Sequence, residues 1–305
     1  MVWENILFDA IIYFFLIAVG AGILELGDRV RKGRRFLFLP LIFILMFCWL
    51  VVFYGSFIEP RMIVEKNYDL VLDGGEGEEI KAVVLGDFHL GPYNDEYLIK
   101  NVVSRVNKIK PDLILLVGDY ISYNTDAVAG FAPFFDLLTP PLGIYAVTGN
   151  HDYEGDVDEV IAALESYNIS FLRNEGVTLK IGDEEIFIAG VDDYWYGNMD
   201  VTNALIRALP GQKVIFLAHN PDVIKYVPET LRFDVMVSGH THGGQIRLPF
   251  VGSVVQPPTD LPREYSRGLL KWADRNLFIT SGLGQIGPRA RLFNPPEISV
   301  LNITF

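Results

Sequence analysis

A single cysteine, Cys48, occurs in 305 residues. It has no partner for an intrachain disulfide, and one thiol inside an apolar run gives no reading of the redox compartment. Histidine is nearly as scarce, with five in the chain: His89, His151, His219, His240 and His242. Basic residues are outnumbered, 25 Lys+Arg against 38 Asp+Glu, for a net charge of −13. The first 59 residues carry five of each sign, so the whole acidic excess lies beyond them. An acidic domain without basic clusters argues against nucleic acid as a partner. No internal repeat or low-complexity segment is present.

Hydrophobic residues, by contrast, make up half the chain, enough for a sizeable core in one large domain or two small ones. Much of this lies at the front. Ala10 to Leu24 is uncharged and apolar, and extends back to Ile6 if Asp9 is accepted near a membrane surface. Phe36 to Ile58 carries no charge in 23 positions, long enough to cross a hydrocarbon layer of about 30 Å. Between them, Glu25 to Arg35 holds Arg29, Arg31, Lys32, Arg34 and Arg35. A short basic loop is retained in the cytoplasm. The prediction is therefore a transmembrane helical hairpin over residues 1–58 with both ends outside, making a two-helix, multi-pass cell-membrane protein whose main domain is extracytoplasmic. No basic residue precedes the first run and no small-x-small pattern follows it, which disfavours a cleavable signal peptide. The alternative for the first run is a helix lying on the membrane or packed on the domain, which reverses the topology. Neither run has a polar stripe to line a transport pathway.

Residues 59–80 read as a linker and first strand, with Gly74, Gly75 and Gly77 marking a turn. From 81 to 305 strand-like and helix-like stretches alternate. Strands are expected at Lys81–Leu85, Leu113–Val117, Ile144–Val147, Ile169–Leu172, Val177–Ile181, Ile186–Val191, Val214–Leu217, Phe233–Val237, Gly268–Trp272, Leu277–Thr280 and Ile298–Ile303. Helical patterns cover Asp95–Ile109, Asp126–Leu138, Asp156–Tyr167, Val201–Leu209 and Asp222–Val227. The fold class is α/β, with two packed mixed β-sheets flanked by helices in a four-layer α/β/β/α sandwich.

Val83 to Gly91, VVLGDFHLG, is an apolar run that turns polar at Asp87 and His89. Two residues apart in extended chain, they point the same way. Such a pair reads either as a hydrogen-bonded strand end or as half of a metal site. The other strands end similarly: Leu113–Val117 in Gly118-Asp119, Ile144–Val147 in Gly149-Asn150-His151-Asp152, Val214–Leu217 in His219-Asn220, and Val235–Val237 in Gly239-His240-Thr241-His242. Strand ends of this kind are where open α/β sheets place their sites, and every histidine of the chain falls in one.

The ordered blocks D-x-H, GD, GNHD, a lone H and GH-x-H resemble those of the calcineurin-like metallophosphoesterases, with no block missing between Val83 and Gly244. GHTHGGQIRLP and SGLGQIGPRARLFNPPEI are similar, more narrowly, to bacterial membrane-associated members of the YkuE type. The resemblance implies two divalent metal ions, with Asp87, His89 and His242 on one, Asn150, His219 and His240 on the other, and Asp119 bridging. It also implies His151 as general acid, oriented by Asp152. Oxygen and nitrogen donors without a thiolate suit Mn²⁺, Fe or Zn²⁺. Two such ions clamp the attacking and leaving oxygens of an in-line displacement and make hydroxide available at neutral pH.

Other residues leave alternatives open. Asp192 and Asp193 read as acceptors behind the site or as a solvated turn. Arg289 and Arg291 read as phosphate partners or as salt bridges holding the carboxyl-terminal segment. Val251 to Ser266 is either a loop over the site or a connection, and Tyr194, Trp195 and Tyr196 either line a pocket or stack in the core. The expected activity is a membrane-anchored phosphoesterase acting on a small-molecule or lipid phosphoester of the cell envelope. The alternative is a UDP-2,3-diacylglucosamine pyrophosphohydrolase at the cytoplasmic face. A silent metal-bound membrane scaffold is the reading from another class, but such proteins usually lose a ligand or the acid, and here none is lost.

Overall fold

The structure, a computed structural model, describes residues 2–72, 77–91 and 93–305; Gly74 and Gly75 of the expected turn lie outside the described residues. Helices α1 (Val2–Arg31) and α2 (Arg35–Phe53) form an antiparallel pair. Tyr13 meets Phe57, Trp49 Nε1 donates to Leu16 O (2.9 Å), and Arg29 lies over Phe38. Both helices are long and apolar enough to cross a membrane. A π-turn (Tyr54–Ile58) and a 3-10 turn (Glu59–Arg61) carry α2 into the domain.

The domain then runs β1 (Val64–Val71), β2 (Glu79–Leu85), α3 (Glu96–Ile109), β3 (Leu113–Leu116), α4 (Asp126–Phe131), β4 (Ile144–Ala146), α5 (Val157–Glu165), β5 (Ile169–Phe171), β6 (Glu175–Ile181), β7 (Glu184–Gly190), α6 (Val201–Leu205), β8 (Lys213–Leu217), β9 (Val235–Ser238), β10 (Arg247–Leu248), β11 (Gly252–Ser253), β12 (Gly268–Trp272), β13 (Arg275–Ile279) and β14 (Glu297–Thr304). The first sheet has the order β1-β14-β2-β3-β4-β5 and is parallel except where β14 meets β2. The second has the order β12-β13-β9-β8-β7-β6, with a parallel centre and an antiparallel hairpin at each edge.

Strand alternation sorts the apolar residues into three cores. Ala82 and Val84 of β2 face the second sheet, meeting the layer of Ile188, Ile215 and Val237. Val83 and Leu85 face outward against α3 and α5, through Ile99, Val102, Val106 and Leu164. On the far side, Phe187, Phe216 and Met236 pack on Val201 and Leu205 of α6. Each Val, Leu, Ile, Phe or Met among them contributes about 1.5–3 kcal/mol when fully buried, and the strands sit where both faces are covered. The result is the expected four-layer α/β/β/α sandwich with the helical pair in front.

Local chemistry sets the ends. Asp95 caps α3 by accepting from Tyr97 N–H, and Lys110 closes it in a left-handed conformation. The helix expected over 126–138 is divided: α4 gives way to a 3-10 turn, Ala132–Leu137, where Pro133 removes a backbone donor. The pattern over 201–209 shortens to α6, and 222–227 forms a 3-10 turn starting at Pro221. β1 is a full edge strand of the first sheet, within the stretch 59–80 expected to hold a linker and first strand.

Candidate metal centre

The strands of both sheets deliver their carboxyl ends to one place, but the delivering backbone is not extended. β2 stops at Leu85, and Asp87 (φ 50°) and His89 (φ 45°) both lie in the left-handed region, as do Asp119 (55°), His240 (68°) and His242 (51°). The expectation that Asp87 and His89 converge through strand alternation is thus corrected. They converge because two left-handed residues curl the loop. For residues with a Cβ this costs about 1–2 kcal/mol each, held in place by Asp87 N–H to Gly118 O (3.0 Å), His89 N–H to Asp119 O (3.0 Å) and His240 N–H to Asp87 Oδ1 (2.8 Å). Strain repeated at one site marks a functional constraint. Gly149 passes so close to Asp119 that a Cβ there would meet Asp119 Oδ1 at 2.3 Å.

Asp87, His89, Asp119 and His242 form one buried group, and Asp119, His219 and His240 a second. Asp119 Oδ2 joins them, 3.4 Å from His89 Nε2 and 3.2 Å from His219 Nε2. His242 Nε2 lies 2.9 Å from His89 Nε2 and 3.9 Å from Asp87 Oδ1. His240 Nδ1 and Asn150 Oδ1 each lie 3.2 Å from His219 Nε2. All seven side chains proposed from the sequence are therefore together, in two groups that share one carboxylate. Val117 O fixes the ring of His219 through Nδ1 at 2.6 Å, and Pro258 O fixes that of His240 through Nε2 at 2.8 Å.

The constellation fits divalent cations. Asp87 Oδ2 is buried without a hydrogen-bond partner, as are His89 Nδ1 and His242 Nδ1, and buried polar atoms are rarely left so. Burial pushes the Asp87 carboxyl up to about 7 and His240 down to about 3, and drives His89 and His242 well below the ordinary histidine range. Against burial, Asp119 and Asp87 lift His219 to about 10, while His219, His151 and His89 hold Asp119 well below the carboxylate range. Imidazoles and carboxylates aimed at common points, with no thiolate, are a nitrogen and oxygen donor set for a binuclear metal site.

His151 lies beside this site: its backbone N–H donates to Asp119 Oδ1 (2.9 Å) and its ring stands edge-on to His89, centroids 4.8 Å apart. Asp152 does not orient it. The Asp152 carboxylate instead accepts the backbone N–H groups of Gly149 (2.8 Å), Asp119 (3.1 Å) and Tyr120 (2.8 Å), which locks the loop after β3 against the loop after β4. The acid facing the His151 ring is Glu154, with Oε1 3.2 Å from Nδ1. Burial works against a charged His151, but Asp119 and Glu154 together raise it to about 9. Glu154 was missed from sequence because the 3-10 turn Asn150–Glu154 folds it back over its own third neighbour.

A cavity of about 340 Å³ opens over the site, with Asp119, Asn150, His151, His240 and His242 in its floor. Its walls are apolar: Trp195, Ile246, Val255, Pro257, Pro258, Ile286 and Pro288. Val251 to Ser266 thus forms part of the loop over the site. Trp195 joins the wall, edge-on to His240 at 4.5 Å, whereas Tyr194 pairs with Tyr226 and Tyr196 is exposed. Asp192 is a buried hub for Thr148, Tyr153 and Arg173. Asp193 Oδ1 closes a turn on Trp195 and Tyr196 N–H. Neither arginine faces this cavity as a free phosphate partner. Arg291 is fully buried, its guanidinium donating to the carbonyls of Ser281, Gly282, Gly284 and Asn294. Arg289 pairs with Asp9 of α1 (3.0 Å) and lies over Tyr93 and Phe57.

Comparison with known proteins agrees with this geometry. Residues 80–244 match the family described as calcineurin-like phosphoesterase. The chain is 32% identical over 259 residues to the uncharacterized metallophosphoesterase YkuE of Bacillus subtilis, covering 82% of this chain and 88% of that one. It is 30% identical over 256 residues to the phosphodiesterase YaeI of Escherichia coli, covering 82% and 92%. An uncharacterized metallophosphoesterase of Helicobacter pylori is 29% identical over 284 residues, covering 91% and 73%. With its metal-site side chains gathered at the strand ends inside the matched span, the chain belongs to the calcineurin-like metallophosphoesterases, metal-dependent hydrolases of phosphoesters.

Proposed function

We propose that this enzyme is a membrane-anchored phosphodiesterase that cleaves a lipid-linked or cell-envelope phosphoester outside the cytoplasm. In this reading residues 1–58 are the anchor, 59–80 the linker with the first strand, and 81–305 the catalytic part. Asp87, His89 and His242 hold one divalent ion, Asn150, His219 and His240 the other, and Asp119 lies between them. Two such ions, Mn²⁺, Fe or Zn²⁺ by donor type, supply Lewis-acid charge at the phosphoryl oxygens and an acidified water.

The chain's own residues do the rest. The Glu154 carboxylate, 3.2 Å from His151 Nδ1, favours the protonated ring, and Nε2 carries the proton that the departing oxygen takes up. Asp152 holds the loops after β3 and β4 in register, so that Asp119 and Asn150 stay on the same floor. Trp195, Ile246 and Ile286 exclude water and suit an apolar substituent on the phosphate.

The observation that carries the proposal is Asp119 Oδ2, shared by two ligand groups beneath an apolar cavity. The phosphodiesterase name of the Escherichia coli relative supports diesters over monoesters. The test is elemental analysis of the purified full chain together with hydrolysis of bis(p-nitrophenyl) phosphate and p-nitrophenyl phosphate. Two metal equivalents and faster cleavage of the diester are expected. A metal-free active enzyme, or a strict monoesterase, would refute the reading.

A further inference from the structure

Phe250 stands at the turn between β10 and β11 with its side chain fully exposed and its backbone left-handed, at φ 67°. Leu248, Val251, Val254 and Val255 are exposed around it, and from another segment Phe293 is exposed as well. Single exposed apolar residues need no explanation, but a group gathered on one rim marks an interaction surface.

The place of this rim is fixed relative to α2. Arg247 N–H of β10 donates to Leu292 O (2.8 Å), and Ile246 bridges to the same residue. Leu292 lies against Gly55, where a Cβ would come within 3.2 Å of Arg291 O and 3.7 Å of the Leu292 side chain. Glu59 accepts the backbone N–H of Phe293 (3.0 Å) and Asn294 (2.5 Å). Gly55 lies inside the apolar run Phe36–Ile58 that α2 begins, and Glu59 is the first charge after it, so the rim sits at the depth where that run ends. The same rim is basic in an acidic chain: Arg247, Arg263 and Arg267, with Glu264, line a cavity of about 570 Å³ beside Phe250 and Phe293.

We propose that the β10–β11 turn is a second membrane contact. Phe250, Val251 and Phe293 enter the interfacial layer of the bilayer that α2 crosses, and the arginine cavity receives the phosphate of an anionic lipid headgroup. The proposal rests on reading α1 and α2 as a membrane hairpin. Basic residues flanking exposed aromatics are the pattern by which peripheral segments hold anionic bilayers. Val255 also lines the cavity over the metal site, so the contact keeps that cavity's mouth on the lipid surface.

The test uses nitroxide labels on the full chain in vesicles of phosphatidylethanolamine and phosphatidylglycerol. One label is placed by Phe250→Cys in a Cys48→Ser background, and one on native Cys48, which is exposed on α2. A reference label is placed by Asp183→Cys, also in the Cys48→Ser background, at the β6–β7 turn, the end of β7 opposite the site. Hydrolysis of a soluble diester verifies that each variant is folded. Positions 250 and 48 should collide more with oxygen than with a nickel chelate, and position 183 the reverse. The preference at 250 should weaken in phosphatidylcholine vesicles and with Arg263→Glu. Lipid contact at 48 with water contact at 250 overturns the second contact alone. Water contact at both overturns the hairpin and the inference with it. An unchanged signal in phosphatidylcholine overturns the headgroup site.

Discussion

Among the described residues, Asp119 is the one side chain common to both ligand groups, and its removal should act on both. Asp119→Ala is expected to strip both ions and abolish hydrolysis, and full occupancy by elemental analysis in that variant would contradict the bridge. His151→Ala should keep both ions and lower kcat about 10²–10⁴-fold for a poor leaving group, with a smaller loss for p-nitrophenolate, which needs little protonation. Equal losses for the two leaving groups would remove the acid role. Glu154→Gln should reproduce the same leaving-group trend in weaker form, because it removes the charge that favours the protonated ring without deleting the ring. At this scale the ligand set was readable: seven polar residues each followed an apolar run, and that placement survives folding. Glu154 was not readable, because its contact is made by a 3-10 turn whose pitch the sequence does not announce. For Arg291 the sequence leaves open a phosphate partner or a salt bridge holding the carboxyl-terminal segment; it holds that segment, but by hydrogen bonds to carbonyls. Its partners are backbone carbonyls, which leave no complementary charge in the sequence.

Elements were legible in proportion to their burial. β2, β3, β8 and β9 are covered on both faces and so read as continuous apolar runs. β1, VEKNYDLV, is a half-exposed edge strand whose bounds within the expected linker and first strand carry no clear signal, while β10 and β11 are two-residue pairings that carry no period. The segment from β13 to β14 has no regular structure at all, and its shape depends on Arg291 gathering its carbonyls into one cluster. Arg291→Met should leave those acceptors buried and unpaired, at a cost of about 3 kcal/mol. In a domain of this size that is roughly a 6–12 °C fall in Tm. Arg291→Lys should recover little, since a point charge cannot span the same acceptors. A Tm within about 2 °C of the parent for Arg291→Met would show that the segment holds itself.

For the molecule as a whole, if the helical pair is the proposed membrane anchor, its orientation decides which substrates the site meets. Arg29, Arg31, Lys32, Arg34 and Arg35 cluster at the turn between α1 and α2, where basic residues most strongly fix topology and acidic ones count little. Alkaline phosphatase fused after Phe305 should therefore be active, and a fluorescent protein that folds only in the cytoplasm should stay dark there. The reverse pattern would favour the nucleotide-lipid pyrophosphate substrate on the inner face. The order of the first sheet has a consequence of its own for how such a molecule is made. β14 is inserted between β1 and β2, although the ribosome makes it long after either. Until it emerges, β1 has no neighbour, β2 has one bare edge, and the loop bearing Asp87 and His89 lacks the strand that backs it. In the proposed reading of the helical pair as a membrane anchor, the anchor is complete before this gap closes, and the loops of the metal site take their final form only afterwards. Closure by the last strand is then the step that completes the sheet behind the site.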